Sequence, residues 1–254
     1  MRFSFQTAAA VVLFLGWGAP AVGQVRLPAG PRYVFQPMGD TAGLATRTIV
    51  TMVQDKKGFV WAGTHTGLYR FDGVNAMSME QSPGRPWSYV SQLELDSKGQ
   101  VWISADGALS HFDGVHFIPI RLPVTEDRSV RNLDVPQRMA FDAQDNLFLA
   151  TTRGVVRLAA EDRNQWRTWA RREGLPADNV VAVHVAPNGV LWFAAGGKVG
   201  TLDPKTHKVR IFNIFGQRAA EKIIAILVNK AGHAWVRTQF HLYSRPAAAS
   251  AFPP

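Results

Sequence analysis

The chain has 254 residues, 46% of them hydrophobic and 19% charged, with 8 Trp and 15 Phe; it is too apolar and aromatic to stay disordered, and long enough for one large all-β domain or two small ones. It has no cysteine, which excludes disulfide staples, thiol catalysis and Cys-based zinc sites. The 28 basic against 19 acidic residues leave a net charge of +9, but the positive residues are spread out and only RTWARR (167–172) is locally dense, so the surplus reads as a solvated basic surface rather than a nucleic-acid site.

The first element is MRFSFQT with Arg2, followed by the 11-residue apolar run AAAVVLFLGWG (8–18), with Ala21 and Gly23 at the −3 and −1 positions of a cut before Gln24. That is the layout of a cleavable secretory signal peptide over residues 1–23, and the run is too short to span a bilayer. No later apolar run approaches spanning length, so a periplasmic or secreted chain is expected, without a membrane span in the mature protein.

From residue 44 onward the chain repeats itself. GFVWAGTHTGLYRFDG, GQVWISADGALSHFDG, DNLFLATTRGVVRL, GVLWFAAGGKVGTLD and GHAWVRTQFHLYS align on Trp61, Trp102, Phe148, Trp192 and Trp235, at spacings of 41, 46, 44 and 43 residues. Each copy opens with a mostly apolar run (IVTMVQD, SQLELD, RMAFD, VAVHVAP, IAILVN) and a tight turn (KKGF, SKGQ, AQDN, PNGV, KAGH), where Gly and Asn tolerate positive φ. A strand centred on the aromatic follows, then a short loop, a third strand, an Asp-Gly or Asp-Pro turn and a fourth segment. Strand, turn, strand, loop, strand, turn, strand at this period predicts one four-stranded propeller blade per copy. A lone blade cannot bury both faces, so each aromatic must pack on the next sheet, a burial worth about 2–3 kcal/mol per ring. The expected fold is an all-β propeller of about five blades (near 44–83, 84–131, 132–174, 175–217 and 218–245) within a domain 24–245, with a disordered or truncated tail at 246–254. GQRAAEKIIAIL (216–227) offers a short helical turn.

QDKKGFVWAGTHTGLYRFDG (54–73) resembles the two-component regulator propeller repeat, and GLATRTIVTMVQD (43–55) and GLPADNVVAVHVAPNG (174–189) resemble the Gly-Leu segment that precedes each blade. The resemblance covers about residues 33–245, strongest in copy one. Copy three lacks the Trp and the Gly of the first turn; copy five lacks Gly-Leu and the Asp-Gly exit. It implies the periplasmic sensor region of hybrid histidine kinases and related sensors, where a transmembrane helix and an output domain follow. The chain carries no kinase boxes, cyclase motif or second apolar span, so a truncated or orphan sensor is expected, not itself an enzyme. Propellers of this family usually have seven blades. Copy five lacks a fourth strand and RYVFQPM (32–38) is an unassigned strand, so five blades closing on their own or forming part of a larger ring are both open, the partial ring being preferred.

Chemistry leaves few traces. HExxH, GxSxG and the Walker glycine loop are absent from the sequence, and GGKVG (196–200) lies in a strand-loop-strand rather than a strand-to-helix turn. The His residues at 65, 111, 116, 184, 207, 233 and 241 are dispersed; only His111 and His116 are close, with no acidic partners arranged around them. Asp72, Asp113 and Asp203 read as turn formers. No metal or cofactor is expected. Loops between second and third strands and segments leading into first strands share one end of a propeller, and loops on a rigid scaffold carry binding. That end holds His65, Asp106, Arg153 and Lys198 from the first set and Arg47, Trp87, Tyr89 and Asn179 from the second, with Trp87 and Tyr89 able to stack on a sugar or peptide ring. The partners anticipated are a small ligand such as a glycan or peptide, and a homodimer or signalling partner; neither nucleic acid nor membrane is. A propeller lyase or glycan hydrolase and an extracytoplasmic protein-interaction scaffold are the alternatives to a sensing module.

Overall fold

β-Branched and aromatic runs alternate with Gly- and Asp-bearing turns, and in the computed structural model they form nineteen β-strands and one short 3-10 turn, Arg171–Glu173, among the described residues. The structure describes residues 44, 47–80, 82, 89–106, 108–122, 138–215, 221–249 and 252, all within one compact unit, Met38–Pro254. The leader at 1–23 and the strand anticipated at 32–38 lie outside the described residues.

The strands fall into five antiparallel sheets in which sequence neighbours are spatial neighbours. Blade 1 is β1 (Ile49–Gln54), β2 (Val60–Thr64), β3 (Gly67–Phe71) and β4 (Ala76–Ser78). Blade 2 is β5 (Val90–Leu95), β6 (Val101–Ala105), β7 (Ala108–Phe112) and β8 (Phe117–Ile120). Blade 3 is β9 (Met139–Phe141), β10 (Leu147–Thr151), β11 (Gly154–Leu158) and β12 (Trp166–Trp169). Blade 4 is β13 (Val180–Val185), β14 (Leu191–Ala195), β15 (Lys198–Leu202) and β16 (Val209–Phe212). Blade 5 has three strands, β17 (Ile223–Val228), β18 (Ala234–Thr238) and β19 (Leu242–Arg245). The fold is a β-propeller with five blades. Ile223–Val228, inside the segment that offered a helical turn, is the first strand of blade 5.

The register explains the repeat. Trp61 sits opposite Val53 on one side and Arg70 on the other. Trp102 sits between Glu94 and His111, Phe148 between Ala140 and Arg157, Trp192 between His184 and Thr201, and Trp235 between Leu227 and Ser244. The five aromatics are therefore equivalent. Side chains alternate across a strand, so one position on they face the opposite way. Trp61 packs with Val90, Leu93, Ile103 and Phe117 of blade 2, and Trp102 with Met139, Leu147 and Leu149 of blade 3. Phe148 packs with Val183, Leu191 and Phe193 of blade 4, and Trp192 with Ile223, Ile226 and Val236 of blade 5. The core is thus four joints, each an aromatic face against the sheet that follows. Trp235 alone of the five is only half buried.

Each first-strand turn is closed by its own side chain. Asp55 Oδ1 accepts the Lys57 and Phe59 amides while Oδ2 accepts Trp61 Nε1–H at 2.9 Å. Asp96 does the same for Gln100 N–H (2.9 Å) and Trp102 Nε1–H (3.2 Å). In copy three, where the Trp is missing, Asp142 Oδ2 accepts the Asn146 amide instead, and Asp145 takes the left-handed turn position (φ 60°) that Gly58, Gly99, Gly189 and Gly232 take elsewhere.

Three joints carry a polar tie besides their apolar packing. Thr51 Oγ1 accepts Leu93 N–H at 3.2 Å across the first. Gln92 spans the second, its Oε1 accepting Arg138 N–H at 2.7 Å and its Nε2 donating to Met139 O at 2.8 Å. The same Nε2 donates to Glu94 Oε1 at 3.3 Å, and burial pushes the Glu94 carboxyl up to about 7. Across the fourth joint, Val228 N–H donates to His184 Nε2 at 3.1 Å. Burial lowers the His184 pKa, with the nearby Val228 carbonyl pulling weakly the other way.

Where a disordered or truncated tail was anticipated, Phe252 is buried, edge-on to Trp192 at 6.5 Å and to Phe212 at 6.0 Å. The Arg245 guanidinium lies over all three rings at 5.2–6.0 Å and donates to Ala249 O.

Candidate functional site

The loops between second and third strands meet the segments leading into first strands at one end of the blades. Arg47 Nη1 donates to Thr66 Oγ1 at 2.7 Å, Asp106 N–H donates to Tyr89 O at 3.2 Å, and Gln239 N–H donates to Lys222 O at 3.0 Å.

A local code shapes these loops. Three residues after the central aromatic, blades 1, 3 and 5 carry Thr64, Thr151 and Thr238, all buried. Thr64 Oγ1 donates to Gly67 O at 2.9 Å and accepts Thr66 N–H at 3.1 Å; Thr151 does the same with Gly154 O (2.8 Å) and Arg153 N–H (3.1 Å). Thr238 Oγ1 likewise accepts His241 N–H at 2.9 Å and lies 3.1 Å from His241 O. Blades 2 and 4 have Ala105 and Ala195 there and turn through left-handed residues, Asp106 (φ 48°) in one and Gly196 and Gly197 (φ 56° and 70°) in the other, as two-residue hairpin loops require.

Three of the anticipated residues, His65, Tyr89 and Asp106, come together at the end of blades 1 and 2, with Arg47 bonded to the neighbouring Thr66. The His65 and Tyr89 rings are 5.1 Å apart and tilted by 53°. Asp106 Oδ1 accepts Tyr89 N–H at 3.2 Å. Arg47 lies over the Tyr69 ring at 5.5 Å while bonded to Thr66. The group offers a cation, an imidazole, a carboxylate and two phenols, with Arg47 and His65 exposed: an arrangement suited to hydrogen bonding and stacking, with no nucleophile beside a base. Arg153, Asn179 and Lys198 are exposed at the same end of blades 3 and 4. No hydrogen bond or ring contact among the described residues ties them to the first group. Trp87 lies outside the described residues.

Sequence reading missed a second group, in blade 5. His241 Nδ1 is 2.7 Å from Glu221 Oε1, and the Thr238 hydroxyl donates to Glu221 Oε2. The Thr238 hydroxyl and then His241 hold the Glu221 carboxyl below its usual range. The signal for it is Thr238 at the same offset from Trp235 as Thr64 from Trp61.

The Asp residues of the turns after the third strands are bound to local backbone. Asp72 Oδ1 accepts the Val74 and Asn75 amides (both 2.8 Å), Asp113 those of Val115 (2.8 Å) and His116 (2.7 Å), and Asp203 that of Lys205 at 2.9 Å. Those backbone donors hold all three carboxyls below the ordinary value. His111 packs against Trp102 at 5.0 Å, its pKa lowered by burial, whereas His116 faces Asp113 at 3.8 Å. Among the described residues no three His, Asp or Glu side chains converge as a metal site would need.

Radially stacked four-stranded meanders define a β-propeller. Within it, residues 43–66 match the family model of the two component regulator propeller. Among solved structures it is similar to the extracellular domain of a hybrid two component system from B. thetaiotaomicron (TM-score 0.69, 20% identity, 86% of this chain and 31% of that one). A one component system of the same organism gives an extracellular domain at TM-score 0.66 and 17% identity, over 82% of this chain and 30% of that one. Virginiamycin B lyase from Staphylococcus aureus is similar at TM-score 0.59 and 14% identity, over 85% of this chain and 73% of that one. The chain thus spans less than a third of the length of those sensor domains. No curated protein sequence matches it. Among the described residues no helix is long and apolar enough to cross a membrane.

Proposed function

We propose that the chain is a non-catalytic sensing module that works outside the cytoplasm, exported by its first 23 residues, and that it binds a small polar ligand of the glycan or peptide class at the end of blades 1 and 2. The observation that carries this reading is the Arg47, His65, Tyr89 and Asp106 group, set on a propeller whose residues 43–66 match the two component regulator propeller model and whose fold resembles extracellular domains of such systems. Stacking rings beside a cation and a carboxylate recognise a sugar or peptide without transforming it.

A thermal-shift screen of glycans and short peptides tests the reading. A ligand at about a hundredfold its Kd stabilises the fold by about 2.7 kcal/mol, a readily measured rise in Tm. The Arg47→Ala, Tyr89→Ala double variant should fold and lose that rise. A ligand stabilising variant and wild type equally would place recognition elsewhere.

A further inference from the structure

The repeat makes every blade position comparable with its counterparts, and exposure then separates the two end blades from the joints between them. On the face each blade turns to its predecessor, Leu93, Met139, Val183 and Ile226 are at most 2% exposed, whereas the blade 1 counterpart, Met52, is 61% exposed. Ile49 is likewise 41% exposed, where Val90, Val180 and Ile223 are buried. On the face turned to the successor, Leu68, Leu109, Val155 and Val199 are at most 3% exposed, and their blade 5 counterpart Leu242 is 68% exposed. Leu227, opposite the half-buried Trp235, is also exposed. Among the described residues, packing of the kind that joins β1 to β5 or β13 to β17 does not link β17–β19 to β1–β4.

We propose that the chain associates head to tail with a second copy of itself, the blade 5 face of one copy seating on the blade 1 face of the next. The exposed positions belong to the two halves of a joint that the chain already builds four times; on the blade 1 half the first strand is open at Met52 and Ile49 while Ala62 and Tyr69 are buried with Leu44. One presents a Trp with Leu242 and Leu227 beside it; the other presents Met52 and Ile49 on its first strand, where blades 2, 4 and 5 present the residues that cover the preceding aromatic. A second copy brings both halves in the register the internal joints use. A contact pairing like with like would set Trp235 against Trp235 and leave Met52 in water. The association is therefore heterologous, and it removes apolar patches that a lone chain would leave in solvent. Arg47, over the Tyr69 ring, borders this same blade 1 face, and the inference rests on the exposed Met52 and Leu242 rather than on ligand binding.

Mass measurement by light scattering on the full chain, from micromolar to sub-millimolar concentration, tests it together with two blocking substitutions at exposed positions. Met52→Asp blocks the blade 1 face and Leu242→Asp the blade 5 face; far-UV circular dichroism checks that each folds, with Met52→Lys and Leu242→Lys as second choices. Wild type should grow in mass with concentration. Each variant alone should associate at least about tenfold more weakly, because all its copies lack the same half of the joint. Mixed in equal amounts, the two variants should form one-to-one pairs and nothing larger, since each retains the half the other has lost. A wild type that stays a single chain throughout would overturn the proposal, by showing that the faces are covered from within the chain. Variants that associate like wild type, or a mixture that does not regain pairing, would overturn it too.

Discussion

Replacing Asp96 by Ala removes one carboxylate and loosens two things, the β5–β6 turn and the ring that buttresses blade 3. The side chain is buried, with Oδ1 on Gln100 N–H at 2.9 Å and Oδ2 on Trp102 Nε1–H at 3.2 Å. A hydrogen bond to a charged acceptor contributes about 1.5–3 kcal/mol, so losing both predicts about 3–6 kcal/mol, a large part of the roughly 5–15 kcal/mol that holds a domain folded. Trp102→Phe keeps an aromatic ring in the joint but deletes the indole N–H, at about 2 kcal/mol. If Asp96 acts through the indole, the double variant loses less than the sum of the two by about 1.5–2 kcal/mol. Urea unfolding at neutral pH, followed by circular dichroism on all four proteins, measures that coupling. A value below about 0.5 kcal/mol, the usual scatter of independent sites, would refute the view that turn and joint are one unit.

Other consequences follow from the same geometry. The His184 pKa is lowered by burial and its Nε2 must stay bare to accept Val228 N–H, so its contribution is present above the ordinary histidine value and lost as pH falls through the lowered one. Stability should therefore fall as pH drops below the ordinary histidine value, and His184→Gln should flatten that slope in urea titrations. Glu94 has the opposite sign: its raised carboxyl favours the fold below pH 4.5 and loses that advantage as pH rises through about 7. Glu94→Gln should thus stabilise the chain under mildly alkaline conditions, by on the order of 3 kcal/mol, and change little in acid; equal effects at both would count against it. Gly154→Ala puts a Cβ 2.0 Å from Trp169 O at φ +124° and should cost more than about 3 kcal/mol, whereas Gly58→Ala, with open space around it, should cost about 1 kcal/mol for its φ of +91° alone. Export predicts that mature protein recovered from the envelope begins at Gln24, which N-terminal sequencing reads directly.

The blades were legible because a bulky aromatic recurring every 41–46 residues has few explanations besides a socket that recurs with it. The turn roles of Asp72, Asp113 and Asp203 were legible too, since an Asx turn is made within three residues. The Asp55 and Asp96 clamps escaped, although both partners lie six residues apart, because the apolar runs hide which acid faces the indole. The polar ties escaped for a stronger reason. Thr51 to Leu93, Gln92 to Arg138 and His184 to Val228 span more than forty residues, and nothing local marks a first-strand polar residue as reaching across a joint. At the candidate site, loop position placed the anticipated residues at one end of the blades, but only coordinates could show that His65, Tyr89 and Asp106 meet there. The Glu221–His241 group depends on a lead-in segment with no repeat signature of its own.

Those ties also bear on how the chain assembles. Similar units strung along one polypeptide can stack in the wrong order, a characteristic failure of repeat proteins, and the aromatic alone does little to prevent it because four of the five blades offer the same Trp ring. A hydroxyl, an amide and an imidazole, each matched to one backbone partner, give three joints separate addresses. The aromatics make the blades adhere; the small polar groups decide which blade is whose neighbour.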